Sequence, residues 1–78
     1  MKLDELAVGE SGTINTVGGE GELRCRLLDM GLIPRTKITM VKKAPMGDPI
    51  EYSLRGYALS LRKEDARMID IIKDGGAE

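Results

Sequence analysis

Three short segments after Pro34 alternate apolar with polar residues, and this alternation constrains the fold more than any other feature of the sequence. The apolar positions are Ile38 and Met40, then Ile50, Tyr52 and Leu54, then Tyr57, Leu59 and Leu61. Successive side chains of a strand lie on opposite faces, so the pattern predicts three β-strands, each with one buried face. Only Arg55 and Gly56 join the second strand to the third, which predicts a tight hairpin because Gly accepts positive φ.

One α-helix is predicted, over residues 20–30, where the apolar period changes from two to about three and a half. Its apolar face consists of Leu23, Leu27 and Met30. Gly31 suits the left-handed position that follows a helix, and Leu32 would then contact Leu27. Pro34 prevents the helix from continuing. The helix is therefore predicted to end at a glycine cap.

The remaining segments complete a mainly β chain. A β-branched stretch at residues 13–17 predicts a first strand, residues 63–66 a single helical turn, and Ile69 with Ile71 a last short strand. A chain of 78 residues has room for one domain, here residues 1–78 with a frayed tail at 74–78. Five short strands, with one helix inserted after the first of them, predict a small, strongly bent antiparallel barrel. Closure of the barrel would remove exposed edges.

The composition excludes several kinds of function. The chain contains no His and one Cys, Cys25, so an internal disulfide and a Cys/His zinc site are excluded. Phe and Trp are absent, which removes the aromatic platforms that stack bases. No nucleophile paired with a base is evident, so we expect no catalytic residue, no metal site and no cofactor. The acidic start and the lack of a long apolar run predict a cytoplasmic location.

The charges are unevenly distributed although the formal net charge is −1. Residues 24–63 carry nine bases against three acids, while the segments on either side are acidic. A basic segment of this kind can dock an acidic partner, a nucleic acid or anionic lipid, or can simply pair with acids on neighbouring strands. A small nucleic-acid-binding barrel is therefore the alternative function. The missing aromatic residues and the lack of an overall basic excess argue against it.

Three separated motifs, taken in order, resemble the FeoA family. They are RLLDMGLIP at residues 26–34, APMGDPI at residues 44–50 and RGYALSLR at residues 55–62. The resemblance extends from about Leu3 to Ile72, and three ordered motifs are far more specific than one glycine-containing stretch. Arg35 is a departure, because the family commonly has Gly there, and the turn after Pro34 is therefore expected to differ.

The resemblance implies an SH3-like barrel that is cytoplasmic and not catalytic. It also implies a partner, the FeoB-type ferrous iron transporter with its cytosolic G-protein domain. The chain would then associate with the membrane only through this transporter. Iron binding by this chain does not follow, since only scattered Asp and Glu and one Cys are available as ligands. The small core also makes self-association an open possibility.

The residues expected to contact the partner lie mainly in the loop between the first two alternating segments. Met46 is an adaptable apolar side chain on a stiff turn, although it could instead fold back over the core. Arg35 and Arg55 are candidates to act in trans on a GTPase, or else are ordinary surface charges. The expected contact residues are Leu32, Ile33, Arg35, Pro45, Met46, Gly47, Asp48, Pro49 and Arg55.

Three methionines and two residues beside the helix cap have competing interpretations. Met30, Met40 and Met68 are expected in the core rather than at a soft-metal site. Leu32 and Ile33 belong either to the core or to the wall of an apolar cleft, and the capping contact with Leu27 favours the core for Leu32.

Overall fold

The computed structural model describes residues 1–74 and contains the predicted helix and five strands. A 3₁₀ turn precedes the first strand. Of the predicted frayed tail at 74–78, Asp74 is instead tied to the sheet, since its N–H donates to the Ser11 carbonyl at 2.9 Å, and residues 75–78 lie outside the described residues. The elements are the turn Leu3–Glu5, β1 (Ser11–Val17), α1 (Gly21–Asp29), β2 (Lys37–Lys43), β3 (Ile50–Leu54), β4 (Tyr57–Leu61), α2 (Lys63–Ala66) and β5 (Ile69–Lys73).

The five strands form one antiparallel sheet in the order β4-β3-β2-β1-β5. The predicted mainly β architecture is confirmed, but the predicted closure that would remove both edges is wrong. The connection between β4 and β5, residues 62–68, contains the helical turn α2 rather than a hairpin turn, and the two strands do not pair. Within residues 1–74, β4 and β5 are therefore the edge strands of the hydrogen-bonded sheet.

One face of the sheet forms the core together with α1 and the first turn. The predicted alternation is confirmed in β2 and β3, whose inward side chains are buried. In β4 only Leu61 is buried, whereas Tyr57 is 44% exposed, so its predicted inward position is wrong. Tyr57 lies at the edge of the sheet and its hydroxyl donates to the Met30 carbonyl at 2.6 Å. Met68, predicted to be core, is 41% exposed, whereas Met40 is buried as predicted.

The end of α1 has the predicted glycine cap. Gly31 has φ of 99° and its N–H donates to the Leu28 carbonyl at 3.0 Å. The Leu32 N–H donates to the Leu27 carbonyl at 3.2 Å. These two bonds form a Schellman motif, with Leu27 and Leu32 both completely buried. The cap therefore fixes the direction in which the chain leaves the helix for β2.

Tyr52 ties the centre of the sheet to the first turn. Its hydroxyl donates to the Leu3 carbonyl at 3.2 Å, and both residues are completely buried. Burial raises the pKa of Tyr52, and the Asp4 carboxylate adds to this effect. A buried hydroxyl with a carbonyl partner satisfies two polar groups that would otherwise be costly. The hydrogen bond thus holds the turn Leu3–Glu5 against the core.

The turn after Pro34 places Arg35 in a conformation that favours glycine. The Thr36 N–H donates to the Ile33 carbonyl at 3.3 Å, and Arg35 has φ of 73°. Proline at the second position followed by positive φ is the pattern of a type II turn, in which Gly is preferred at the third position. Arg35 therefore adopts the conformation that Gly adopts without strain, and the different turn expected from the Gly-to-Arg departure is not seen here.

We expect Arg35→Gly to raise the free energy of unfolding by about 0.5–1 kcal/mol, because strain from positive φ exceeds the entropy that glycine adds to the unfolded chain. Arg35→Ala is the matched control, since it removes the guanidinium but keeps the β-carbon and the strain. Urea unfolding of both variants gives the comparison. Equal changes in the two variants would show that the backbone conformation is not the cause.

Glu10 links stability to pH in the acid range. Its carboxylate accepts a hydrogen bond from the Lys73 ammonium at 2.5 Å and another from the Ala7 N–H at 2.8 Å. Both interactions lower the pKa of Glu10 below its ordinary value of 4.5, and the hydrogen bond from Lys73 has the larger effect. The unfolded chain then takes up this proton at higher pH than the folded chain does, so stability falls as pH drops below the ordinary value.

We expect Glu10→Gln to flatten the decline of the melting temperature between about pH 5 and 3. The neutral side chain has no proton to take up, so its contribution no longer changes with pH. Glu20→Gln, an exposed position without an ion pair among residues 1–74, is the control. An unchanged slope in Glu10→Gln would mean that the Lys73 and Ala7 contacts do not persist in solution.

Candidate functional site

The loop of residues 44–49 projects from the sheet between β2 and β3. Its base is closed by the Ala44 N–H, which donates to the Pro49 carbonyl at 3.1 Å, and by the Gly47 N–H, which donates to the Ala44 carbonyl at 2.7 Å. Met46, at the tip, is 91% exposed. The alternative in which Met46 folds back over the core is therefore wrong. The loop presents an apolar side chain to the outside on a hydrogen-bonded frame.

Asp48 fastens this loop to the start of α2. Its carboxylate accepts a hydrogen bond from the Lys63 N–H at 2.9 Å, which satisfies a backbone donor that has no partner within the helical turn. The peptide bond between Asp48 and Pro49 is cis. Asp48, expected from the sequence to contact a partner, is thus engaged within the chain and positions the loop.

A groove of about 310 Å³ lies at the base of the loop. Two prolines supply its apolar wall, and Lys42 and Glu51 lie across from each other with Nζ and Oε1 3.8 Å apart. Its lining residues are Lys42, Lys43, Ala44, Pro45, Pro49, Glu51 and Ser60. We call these residues, with Met46, the loop surface. It combines an exposed thioether with an adjacent recess, which suits an apolar side chain of a partner.

The loop surface has a positive border. Among residues 1–74 no carboxylate oxygen lies within 4.0 Å of the charged side-chain groups of Lys43, Arg62 and Lys63, and all three residues are exposed. Lys63 follows β4 and its backbone is bonded to Asp48, so it lies beside the loop. Uncompensated charge of one sign steers oppositely charged partners toward a surface. An acidic partner surface is therefore complementary to this side of the molecule.

The other predicted contact residues lie at the opposite end of the sheet. Arg35 precedes β2 and Arg55 follows β3, whereas the loop joins the other ends of these strands. Five residues of strand separate the two ends by about 17 Å. The Arg55 guanidinium donates to the Thr36 hydroxyl oxygen at 3.3 Å, and Arg55 forms a two-residue turn with Gly56 as predicted. The predicted contact residues thus form two separate groups.

Leu32 requires a correction. It is completely buried and bonded to Leu27 through the helix cap, so it belongs to the core and cannot contact a partner in this conformation. Ile33 beside it is half-buried. The groove at Lys42, Lys43, Glu51 and Ser60 did not emerge from the sequence. The adjacent lysines at the end of a predicted strand, directly before a proline-containing loop, were the available signal.

The part of the chain described here, residues 1–74, contains no group of three or more Cys, Asp and Glu side chains close enough to hold a metal ion. Cys25 is free and exposed on α1. No α-helix within these residues has both the length and the apolar character needed to cross a membrane.

Comparisons with known proteins identify FeoA relatives by sequence and by structure. The FeoA domain model matches residues 1–73. A Porphyromonas gingivalis protein named Fe(2+) transport protein A/Fe(2+) transporter FeoB fusion protein is 42% identical over 71 residues, covering 91% of this chain and only 8% of the relative. The solution structure of iron(II) transport protein A from Clostridium thermocellum is 37% identical, with a TM-score of 0.92 over 97% of this chain and 47% of that one.

A third likeness concerns the fold. The Stenotrophomonas maltophilia FeoA, described as a prokaryotic SH3 domain protein, has a TM-score of 0.80 over 91% of this chain and 88% of that chain, at 24% identity. It supports an SH3-like description of the sheet. The family match over nearly the whole sequence, together with the fold, shows that this chain belongs to the FeoA domain family.

Proposed function

We propose that this chain is a cytosolic, non-catalytic accessory protein of ferrous iron uptake that docks on the cytosolic part of a FeoB-type transporter. The observation that carries the proposal is the Porphyromonas gingivalis relative, in which a FeoA-like segment and FeoB belong to one fusion protein. A fusion holds its parts at a high effective concentration, so contact within it needs little affinity. Contact outside such a fusion needs a surface with sufficient affinity of its own.

The loop surface is the best candidate for that contact. Met46 is the most exposed large apolar side chain among the described residues, and it stands on a loop closed by two backbone hydrogen bonds. The backbone of a hydrogen-bonded loop loses little conformational freedom on binding, which favours affinity. The loop and groove are small compared with a standard protein interface, so the complex is expected to be weak and reversible.

The second group of predicted contacts, Arg35 and Arg55, faces the other end of the sheet. A transporter surface that covers the loop need not reach them, since the strands between measure about 17 Å. The Arg55 guanidinium is bonded to Thr36, and its reach beyond the sheet is reduced by that bond. The proposal therefore assigns docking to the loop surface, and action of either arginine on GTP turnover stays a separate prediction.

We expect Met46→Asp to weaken binding to a purified full-length FeoB-type transporter about tenfold or more, because a carboxylate buried in an apolar contact loses its hydration. The melting temperature should stay within about 2 °C of the parent, since Met46 contributes nothing to the core. Interferometry with the transporter in nanodiscs measures the affinity, and a thermal melt of each variant measures stability.

Val8→Asp is the matched control. Val8 is 63% exposed in the turn before β1, so the same charge is added at an exposed apolar residue outside the loop surface. Its affinity should equal that of the parent chain. Equal weakening by both substitutions would point to net charge as the cause and would overturn the assignment of the loop.

A further inference from the structure

The two edges of the sheet differ in how they are covered. On β5, the Ile71 N–H donates to the Met1 carbonyl at 2.7 Å, and Lys2 forms an antiparallel bridge with Asp70. On β4, no such segment is found among residues 1–74. An uncovered edge strand presents unpaired N–H and C=O groups to solvent, which is the template for pairing with another strand.

The hairpin fixes which groups of β4 face outward. Leu54 and Tyr57 are partners across the two-residue turn, and such closing pairs exchange both of their backbone hydrogen bonds. The alternation along β4 then directs the backbone groups of Tyr57, Leu59 and Leu61 toward β3. Those of Ala58 and Ser60 face the open edge. Both residues are exposed, so two donors and two acceptors are accessible.

The edge lacks the features that commonly prevent strand pairing. Residues 57–61 read YALSL and contain neither a charge nor a proline. Ala58 and Ser60 have small side chains, which leave space for an approaching backbone. β4 also pairs with β3 in a continuous register, without a bulge, from the pair Ile50 and Leu61 to the pair Leu54 and Tyr57. A five-residue edge of this kind can accept an extended segment.

The charges that follow β4 indicate the kind of segment. In the described chain no carboxylate oxygen lies within 4.0 Å of the Arg62 guanidinium or of Lys63 Nζ. The Arg55 guanidinium, at the other end of the strand, is bonded to Thr36, which precedes β2 on the far side of β3, so it does not face this edge. An acidic residue on an incoming strand would be attracted to Arg62 and Lys63.

We propose that β4 binds an extended partner segment with an acidic flank as a sixth strand of the sheet. The segment forms up to four backbone hydrogen bonds with Ala58 and Ser60, and its acidic residues lie beside Arg62 and Lys63. Ser60 belongs both to this edge and to the lining of the groove.

The test uses the peptide acetyl-EETVTVTEE-amide as the probe, added to the isotopically labelled chain at low ionic strength and followed by amide NMR. We expect the amides of Ala58 and Ser60 to shift first and their hydrogen exchange to slow about tenfold or more. The charge-reversed peptide acetyl-KKTVTVTKK-amide should bind about tenfold more weakly. The acidic peptide methylated at alternate backbone nitrogens, in the two possible phases, should lose binding in one phase only.

A variant of the chain provides the reciprocal test. Ser60→Pro removes an outward N–H without removing a hydrogen bond to β3, and Ser60→Thr keeps that donor. Binding should fall in the first and persist in the second. If the Ser60→Pro variant does not fold, binding of the two methylated peptides to the parent chain tests whether backbone hydrogen bonds hold the segment on β4.

Three outcomes would overturn the proposal. The first is the absence of shifts at Ala58 and Ser60 with the acidic peptide at several millimolar, the weakest affinity range of interest. The second is that the two methylated peptides, one for each set of alternate nitrogens, both bind as tightly as the unmethylated peptide. The third is concentration-dependent shifts at these two amides without peptide, accompanied by a dimer in sedimentation velocity, which would identify a second copy as the occupant.

Discussion

Gly31→Ala is expected to lower the free energy of unfolding by about 2–4 kcal/mol, one of the two largest effects that the structure predicts. Two causes add at this position. The φ of 99° is strained for any residue with a β-carbon. A β-carbon on residue 31 would also overlap the hydroxyl oxygen of Tyr57, which is held in place by its hydrogen bond to the Met30 carbonyl.

Tyr57→Phe separates these two causes. It removes the oxygen that a new β-carbon would meet and leaves the backbone strain unchanged. The double variant Gly31→Ala with Tyr57→Phe should therefore lose less stability than the sum of the two single variants, by about 1 kcal/mol or more. Denaturant unfolding of all four chains gives this coupling energy. Strict additivity would contradict the proposed overlap and leave the strain as the only cause.

Leu27→Ala is expected to cost about 2–5 kcal/mol, the range for removing a fully buried leucine side chain. Leu27 is the only residue of α1 that is buried, so most of the anchoring of the helix depends on it. It also accepts the capping hydrogen bond from Leu32. Its loss should loosen the helix and the exit toward β2 together.

Leu23→Ala is the matched control, because Leu23 lies on the same face of α1 but is only half-buried against the core. It should cost clearly less. Hydrogen exchange then distinguishes local from global loss, since protection in Leu27→Ala should fall most in α1. Equal costs for the two leucines would mean that α1 is not anchored through Leu27.

Much of this fold follows from local sequence rules. The period-two segments became β2, β3 and β4, and the Arg55-Gly56 turn has positive φ at both residues as a tight hairpin requires. The Schellman cap at Gly31 was also predictable, because it depends on residues adjacent in sequence. These features are decided by backbone sterics and nearest neighbours, which a single sequence contains.

Errors arose where distant segments decide the structure. Whether β4 and β5 pair depends on how residues 62–68 cross between them, and alternation within each strand carries no information about that. Tyr57 follows the inward alternation, yet within residues 1–74 no strand lies beyond β4 to cover it, and it is exposed. Met68 similarly lies in a connection, where an apolar residue can remain exposed. Edge positions are therefore the least predictable part of this sheet.

The candidate site was predictable only in outline. The two prolines and the glycine around Met46 indicated a projecting loop, and its exposure agrees with that. The hydrogen bond from the Lys63 N–H to Asp48 joins residues 15 positions apart, so the sequence pattern could not show that the loop is fastened to α2. The groove likewise requires the register of β2, β3 and β4, which places Lys42, Glu51 and Ser60 side by side.

The central claim, docking on a FeoB-type transporter, is tested most directly by the binding of the purified chain to a purified full-length transporter of this type. Interferometry in nanodiscs, with guanine nucleotide present and absent, is the measurement. We predict saturable binding in at least one nucleotide state, with micromolar affinity as expected for a small interface. The absence of saturable binding in every nucleotide state would contradict the account.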